Sequence, residues 1–180
     1  MKKSKWHPFL FICLTLLLII SAVACGELTF DTYQNDDWAY TIRYPKGWVV
    51  DESTSPAPGV SITSLWARTS RISGVGIAVY DLSIAEVESN AEVAAQMYLE
   101  EFRQRFDNVL ILDNGEMQSK WDWHLSLELD GFYNKEMYFL HKDGYFCSLQ
   151  ISCPKEDYDL YPWDEIIESF AFEPALLPGG

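Results

Sequence analysis

Two segments in the C-terminal half of the chain alternate in polarity residue by residue, and that period leaves little freedom of fold. Between Trp121 and Leu129, the side chains of Trp123, Leu125, Leu127 and Leu129 oppose Asp122, His124, Ser126 and Glu128. Between Tyr145 and Cys153, Tyr145, Cys147, Leu149, Ile151 and Cys153 alternate with more polar neighbours. Only an extended strand sends successive side chains to opposite faces. Asp130-Gly131 and Asp143-Gly144 divide these runs, and Gly tolerates the positive φ of tight hairpins. Phe132 to Leu140 is therefore predicted to pair antiparallel with both neighbours in a meander.

Upstream, Trp38, Tyr40, Ile42 and Tyr44 alternate with Ala39, Thr41 and Arg43 until Pro45-Lys46-Gly47 stops the run. Trp48-Val49-Val50 resumes extended structure, Ser53 to Gly59 reads as a loop, and Val60, Ile62 and Trp66 mark a further strand, as do Val75 to Leu82. Ser89-Asn90-Ala91-Glu92 has the spacing of a capping box and opens a helix. Ala91, Ala95, Tyr98, Leu99, Phe102 and Phe106 recur there at helical spacing, so one face packs on a sheet before the helix ends near Asp107. Val109 to Met117 follows as a strand. A shorter helix is predicted from about Tyr161 to Ser169, with Pro162 in its first turn. The fold class expected is α+β: an antiparallel sheet with helices packed on its faces.

The N-terminal segment has a different character. Lys2, Lys3 and Lys5 precede an apolar run from Phe9 to Val23, and Ala22-Val23-Ala24 supplies small residues before Cys25. This is the pattern of an export signal. The segment Ala22-Val23-Ala24-Cys25 resembles the bacterial lipobox, which implies cleavage before Cys25 and attachment of a diacylglyceryl group to its thiol. Ala22 and Ala24 equally satisfy the small-x-small rule for ordinary secretion, so a secreted soluble protein is the alternative. The expected organisation is a signal peptide over 1–24, a lipidated N-terminus and short tether over 25–27, one domain over 28–173, and a tail over 174–180.

Removing residues 1–24 from a chain of 180 leaves 156, enough for one domain with a substantial core. The leader holds three of the 13 basic residues and no acidic one, which leaves ten against 27, a formal net charge of −17. Such a body repels nucleic acid and gains nothing from anionic headgroups by charge, so membrane attachment falls to acyl chains on Cys25. Once the leader is gone and Cys25 is modified, Cys147 and Cys153 remain. Six residues apart on one strand, they stand about 20 Å apart, against about 4.4–6.8 Å for a disulfide. They read as buried core residues.

Chemical motifs are sparse. Gly74-Val75-Gly76 sits within a strand and reads as close backbone packing. His124 falls on the polar face of its strand and His141 beside a turn, so both read as solvated. No zinc-protease, C-x-x-C or nucleophile-elbow motif occurs in the mature chain. Asp157 and Asp159 flank Tyr158 near further acidic residues and are weak candidates for a Ca²⁺ site. Trp38, Trp66 and Trp123 lie on apolar strand faces and read as core, whereas Trp121 and Trp163, near element ends, are the candidates for an exposed aromatic patch.

The segment Asp37-Trp38-Ala39-Tyr40-Thr41-Ile42-Arg43-Tyr44-Pro45-Lys46-Gly47-Trp48 resembles the opening of PsbP-like domains, an aromatic-rich strand followed by Tyr-Pro-x-Gly-Trp. Ile166-Ile167-Glu168-Ser169-Phe170-Ala171-Phe172 resembles their closing helix and Ser-Phe-x-Phe. The resemblance spans about Leu28 to Phe172. It implies the fold shared with Mog-type Ran-binding proteins, an α/β/α sandwich, and an accessory role in binding and assisting assemblies. The expectation is a non-catalytic interaction module without a cofactor, lipid-anchored at the outer face of a bacterial membrane and binding a protein partner. A small-ligand or Ca²⁺-binding module of the cell envelope is the alternative.

Overall fold

The computed structural model describes residues 28–53, 57–70, 72–87 and 89–177. The leader and Cys25 lie outside the described residues. Among the described residues, ten strands and two α-helices follow in the order β1 (Phe30–Asn35), β2 (Tyr40–Pro45), β3 (Val49–Ser53), β4 (Val60–Trp66), β5 (Gly74–Asp81), α1 (Ala91–Arg105), β6 (Val109–Glu116), β7 (Trp123–Leu129), β8 (Tyr133–Lys142), β9 (Tyr145–Pro154), α2 (Trp163–Ser169) and β10 (Ala171–Phe172). A 3₁₀ turn over Lys155–Leu160 joins β9 to α2.

Seven strands form one antiparallel sheet in the order β3-β4-β5-β9-β8-β7-β6. The meander β6-β7-β8-β9 is as the alternation and turn residues require. Asp130 and Gly131 take φ of 51° and 73°, and Asp143 and Gly144 take 50° and 82°; the second pair forms a two-residue hairpin loop, and in the first Phe132 is a third loop residue. Strand β5 then closes onto β9 instead of β6, and α1 carries the chain across the sheet between them.

A second sheet, β1-β2-β10, is not evident in the sequence. Strand β10 has only two residues, Ala171 and Phe172, paired with Thr41 and Tyr40, too short a stretch for a period to show. This small sheet and α2 cover one face of the large sheet, and α1 covers the other. Packing continues beyond the expected domain end at 173, since Pro174 and Leu177 are buried.

The two faces own different cores. On β9, Cys147, Leu149, Ile151 and Cys153 are fully buried on the α2 side with Val75, Ile77, Ile42, Trp121 and Ile166. On β7, Leu125, Leu127 and Leu129 are buried on the α1 side with Ala95, Leu99, Met137 and Phe139. Their apolar faces therefore point in opposite directions. A single row on the α2 side, followed by register across the sheet, reads Glu52, Thr63, Ile77, Leu149, Tyr138, His124. It is apolar at the centre, where α2 and the small sheet cover it, and polar at both flanks.

Three expectations are corrected. Strand β4 buries Ser61, Thr63 and Leu65, while Ile62 and Trp66 are only half-buried on the opposite face. Polarity misleads there because the Thr63 hydroxyl is 2.7 Å from the Tyr40 hydroxyl, and a buried tyrosine hydroxyl requires a partner. Helix α1 is capped by Asn90, whose side-chain oxygen accepts from the Val93 N–H at 3.0 Å, and not by Ser89. Both residue types cap well, and the one-residue offset follows from where extended backbone ends. The shorter helix starts at Trp163, with Pro162 outside it as the cap.

Candidate functional site

The apolar core on the α2 side gives way to charged side chains at β7, and the transition creates the most chemically distinctive part of the molecule. Pairing places Tyr138 opposite His124 and Glu136 opposite Ser126. Glu136 is 14% exposed at its side chain. Tyr138 donates its hydroxyl to Glu136 Oε2 at 2.7 Å, and Tyr158, from the 3₁₀ turn, donates to Oε1.

His124 completes the cluster. Its ring stacks on Tyr138 with centroids 4.5 Å apart, Nδ1 lies 2.8 Å from Asp113 Oδ2, and Nε2 lies 3.7 Å from Glu136 Oε2. The imidazole is 14% exposed, so it is not solvated as its place in the alternation suggests. The polar face of β7 is the continuation of a core face, and Tyr138 and Tyr158 roof it. Burial opposes a charge on His124, but the nearby Glu136 carboxylate and the bonded Asp113 carboxylate outweigh it and raise the imidazole's pKa. Burial pushes Glu136 upward, and the neighbouring His124 imidazole with the bonds from Tyr158 and Tyr138 more than offset this, holding its carboxyl below the usual range. Both tyrosines are raised, first by burial and then by Glu136. The cluster is a clasp in which Glu136 accepts from both tyrosines and His124 Nδ1 meets Asp113, while His124 Nε2 is buried without a hydrogen-bond partner, near the Glu136 charge.

Beyond Tyr138 lies a pocket of about 440 Å³ between α2 and the β6–β7 loop. Met117, Trp121, Tyr138 and Ile167 form its apolar walls, and Ser119, Lys120, Asp164 and Glu168 its polar rim. The loop is held in place by Lys120, whose Nζ donates to the carbonyls of Glu168 and Phe170 at 2.7 Å each. These are free acceptors at the C-terminus of α2, where a cation also meets the negative end of the helix dipole. Burial lowers the pKa of Lys120 against the opposing charge of Glu168. Trp121 stacks on Phe170 at 5.2 Å and is 2% exposed. Trp163, also buried, packs with Trp48 at 5.9 Å. The two tryptophans that were candidates for an exposed patch are thus core, because the loop and helix ends that carry them fold over the sheet.

On the α1 side, the helix leaves part of the sheet bare, and a groove of about 330 Å³ opens between Trp66, Ile72, Gly76, Lys135, Gln150 and Ser152. Lys135 donates to Ser152 Oγ at 2.8 Å, and burial pushes its pKa down to about 8 against the charge of Glu101. The Gly-Val-Gly segment divides in role here. A Cβ on Gly74 would lie 2.3 Å from the Leu65 carbonyl oxygen, so close strand approach requires glycine, whereas one on Gly76 meets nothing and the residue floors the groove.

The remaining sequence candidates do not converge on these cavities. Asp157 is half-buried and Asp159 exposed in the 3₁₀ turn. Among the described residues, no group of three or more His, Cys, Asp or Glu side chains is placed to hold a metal ion. Cys147 and Cys153 are free, buried thiols, and burial raises the pKa of each. His141 is exposed.

A seven-stranded antiparallel sheet with a helix on one face and a helix plus small sheet on the other is the PsbP-like arrangement. One solved structure bears this out. Cyanobacterial PsbP (CyanoP) from Synechocystis sp. PCC 6803 matches with a TM-score of 0.62 at 13% identity, over 83% of this chain and 96% of that one. The Saccharomyces cerevisiae Ran-binding protein Mog1p gives 0.47 at 11%, over 84% and 100%. LpqN, involved in cell envelope biogenesis of Mycobacterium tuberculosis, gives 0.46 at 11%, over 87% and 97%. No family model matches the chain, and no curated protein matches it by sequence. At these identities, the likeness to CyanoP establishes the fold alone.

Proposed function

We propose that this protein is a lipid-anchored module of the cell envelope, held through Cys25 at the outer face of a bacterial membrane, that binds a protein partner and performs no catalysis. The observation that carries the binding role is the pocket beside α2. Its walls are apolar, its rim holds Asp164 and Glu168, and its one lysine is committed to backbone carbonyls. Such a surface suits an apolar side chain flanked by basic residues, and the −17 charge of the mature chain would steer a basic partner toward it. Nearby, Glu136 accepts from Tyr138 and Tyr158, and His124 Nδ1 pairs with Asp113, an arrangement that supports structure more readily than proton transfer to a substrate.

Affinity capture from solubilised membranes tests the reading. The wild-type chain is expected to retain a partner whose recovery falls as salt rises. The folded double variant Asp164→Lys/Glu168→Lys is expected to lose it. Equal recovery by the variant, with unchanged salt dependence, would show that the pocket is not the docking surface.

A further inference from the structure

We infer that one end of the domain, the end at which the chain enters it, lies against the lipid bilayer with Phe132 and Ile72 in contact with it. The inference rests on the reading of Cys25 as the lipidated residue, and adds to it an orientation and a second contact.

Strand register fixes which loops share that end. Phe30 pairs with Pro45, and the Lys46 N–H donates to the Thr29 carbonyl, so the first described residues lie beside the β2–β3 turn. Val49 begins β3 opposite Trp66, Trp66 pairs with Gly74, and Gly74 with Ser152. Tyr133 pairs with Pro154 and Leu129 with Val109. The β2–β3 turn, the β4–β5 loop and the β7–β8 hairpin therefore project from the same end. From Cys25 to Leu28 is three peptide units, about 11 Å at full extension. Acyl chains on Cys25 cannot enter a bilayer unless this end is close to it.

That end is built to touch lipid. Phe132 is 71% exposed at the hairpin tip, and Ile72 and Leu28 are 52% and 57% exposed. The tip is held rigidly: Phe132 N–H donates to the Leu129 carbonyl at 3.1 Å, and the Phe132 carbonyl accepts from Lys155 N–H at 2.7 Å. Exposing such a side chain on a stiff turn is costly in water and favourable at a headgroup boundary. Lys46 and Arg68 are exposed in the neighbouring turn and loop. Glu156, which shares a surface hollow with Phe132 and Ile72, keeps this end from being uniformly basic. Apolar contact, and not headgroup charge, is the main attraction. The β6–β7 loop beside the α2 pocket lies at the opposite end of the strands, facing away from the membrane.

The test uses the processed full chain in vesicles of phosphatidylcholine and phosphatidylglycerol, with an environment-sensitive fluorophore on Phe132→Cys or, as the far-end control, on Leu176→Cys. Cys147 and Cys153 are buried and do not compete for label. The expected result is a blue shift and strong quenching by bilayer-embedded quenchers at position 132, consistent with a depth of roughly 5–10 Å, and neither at position 176. An acylated chain whose label at 132 reads water overturns this inference and leaves the anchor standing. A mature chain whose mass shows no acyl group overturns the anchor and the inference together. Protection at 132 in native membranes but not in pure lipid assigns the surface to a protein and likewise overturns the lipid contact.

Discussion

At the scale of the residue, His124 is the side chain with the most measurable consequence. Its imidazole bridges β6, through Asp113, and β8, through Glu136, under a tyrosine roof. Its folded-state pKa lies above the ordinary value, so its contribution to stability is fully present below the unfolded pKa and fades as pH rises through the folded one. Glu136 behaves oppositely: its contribution is present above the ordinary carboxyl value and is lost as pH falls through the depressed one. The clasp is therefore strongest in mildly acidic solution. Thermal unfolding should give a higher midpoint at about pH 6, below the ordinary imidazole value, than in alkaline solution above the raised one. The substitution His124→Gln should remove most of that difference, and an undiminished difference in the variant would place the pH dependence elsewhere. The sequence could not reveal this clasp, because alternation assigns His124 to the polar face of β7 without showing that this face continues a covered core. Thr63 illustrates the same limit, since its hydroxyl looks solvent-facing until Tyr40 supplies its partner.

At the scale of the element, what local chemistry determines was legible. Asp130-Gly131 and Asp143-Gly144 specify hairpins by backbone conformation, and alternation in β7 and β9 specifies strands. The spacing of Ala95, Leu99 and Phe102 specifies a helix face, which the structure lays on β6, β7 and β8. Elements that exist only through tertiary contacts were not legible. The two-residue β10 is a strand because Tyr40 and Thr41 are there to pair with it; α2 was legible as a short helix, but at seven residues it is short to persist alone and its start shifts to Trp163. Its C-terminus depends on Lys120. Replacing this residue in Lys120→Met removes the donor to two carbonyls while keeping a long aliphatic stem. The expected cost is about 1 kcal/mol in urea unfolding, together with faster amide exchange in α2 than in β9. Unchanged exchange in α2 would mean that the ammonium is not what fixes the helix end or shapes the pocket.

At the scale of the whole molecule, the large sheet separates two tasks. Its α1 side carries a continuous core and a groove around Lys135, and its α2 side carries the aromatic core, the His124 clasp and the acidic-rimmed pocket. The candidate pocket was only half visible in the sequence: the acidity was countable, but Met117 and Trp121 from the β6–β7 loop, Tyr138 from β8 and Ile167 from α2 meet only through the fold. The N-terminal motif supplies the cellular context for both faces. Because β1 begins at Phe30, five residues after Cys25, anchoring there would hold the domain at the bilayer and leave the α2 pocket open to a partner. The mass of the N-terminal peptide of the mature protein, isolated from membranes, measures this most directly. The account predicts a peptide that begins at Cys25 and carries a diacylglyceryl group, with the modification absent in Cys25→Ser. An unmodified mature N-terminus would contradict it.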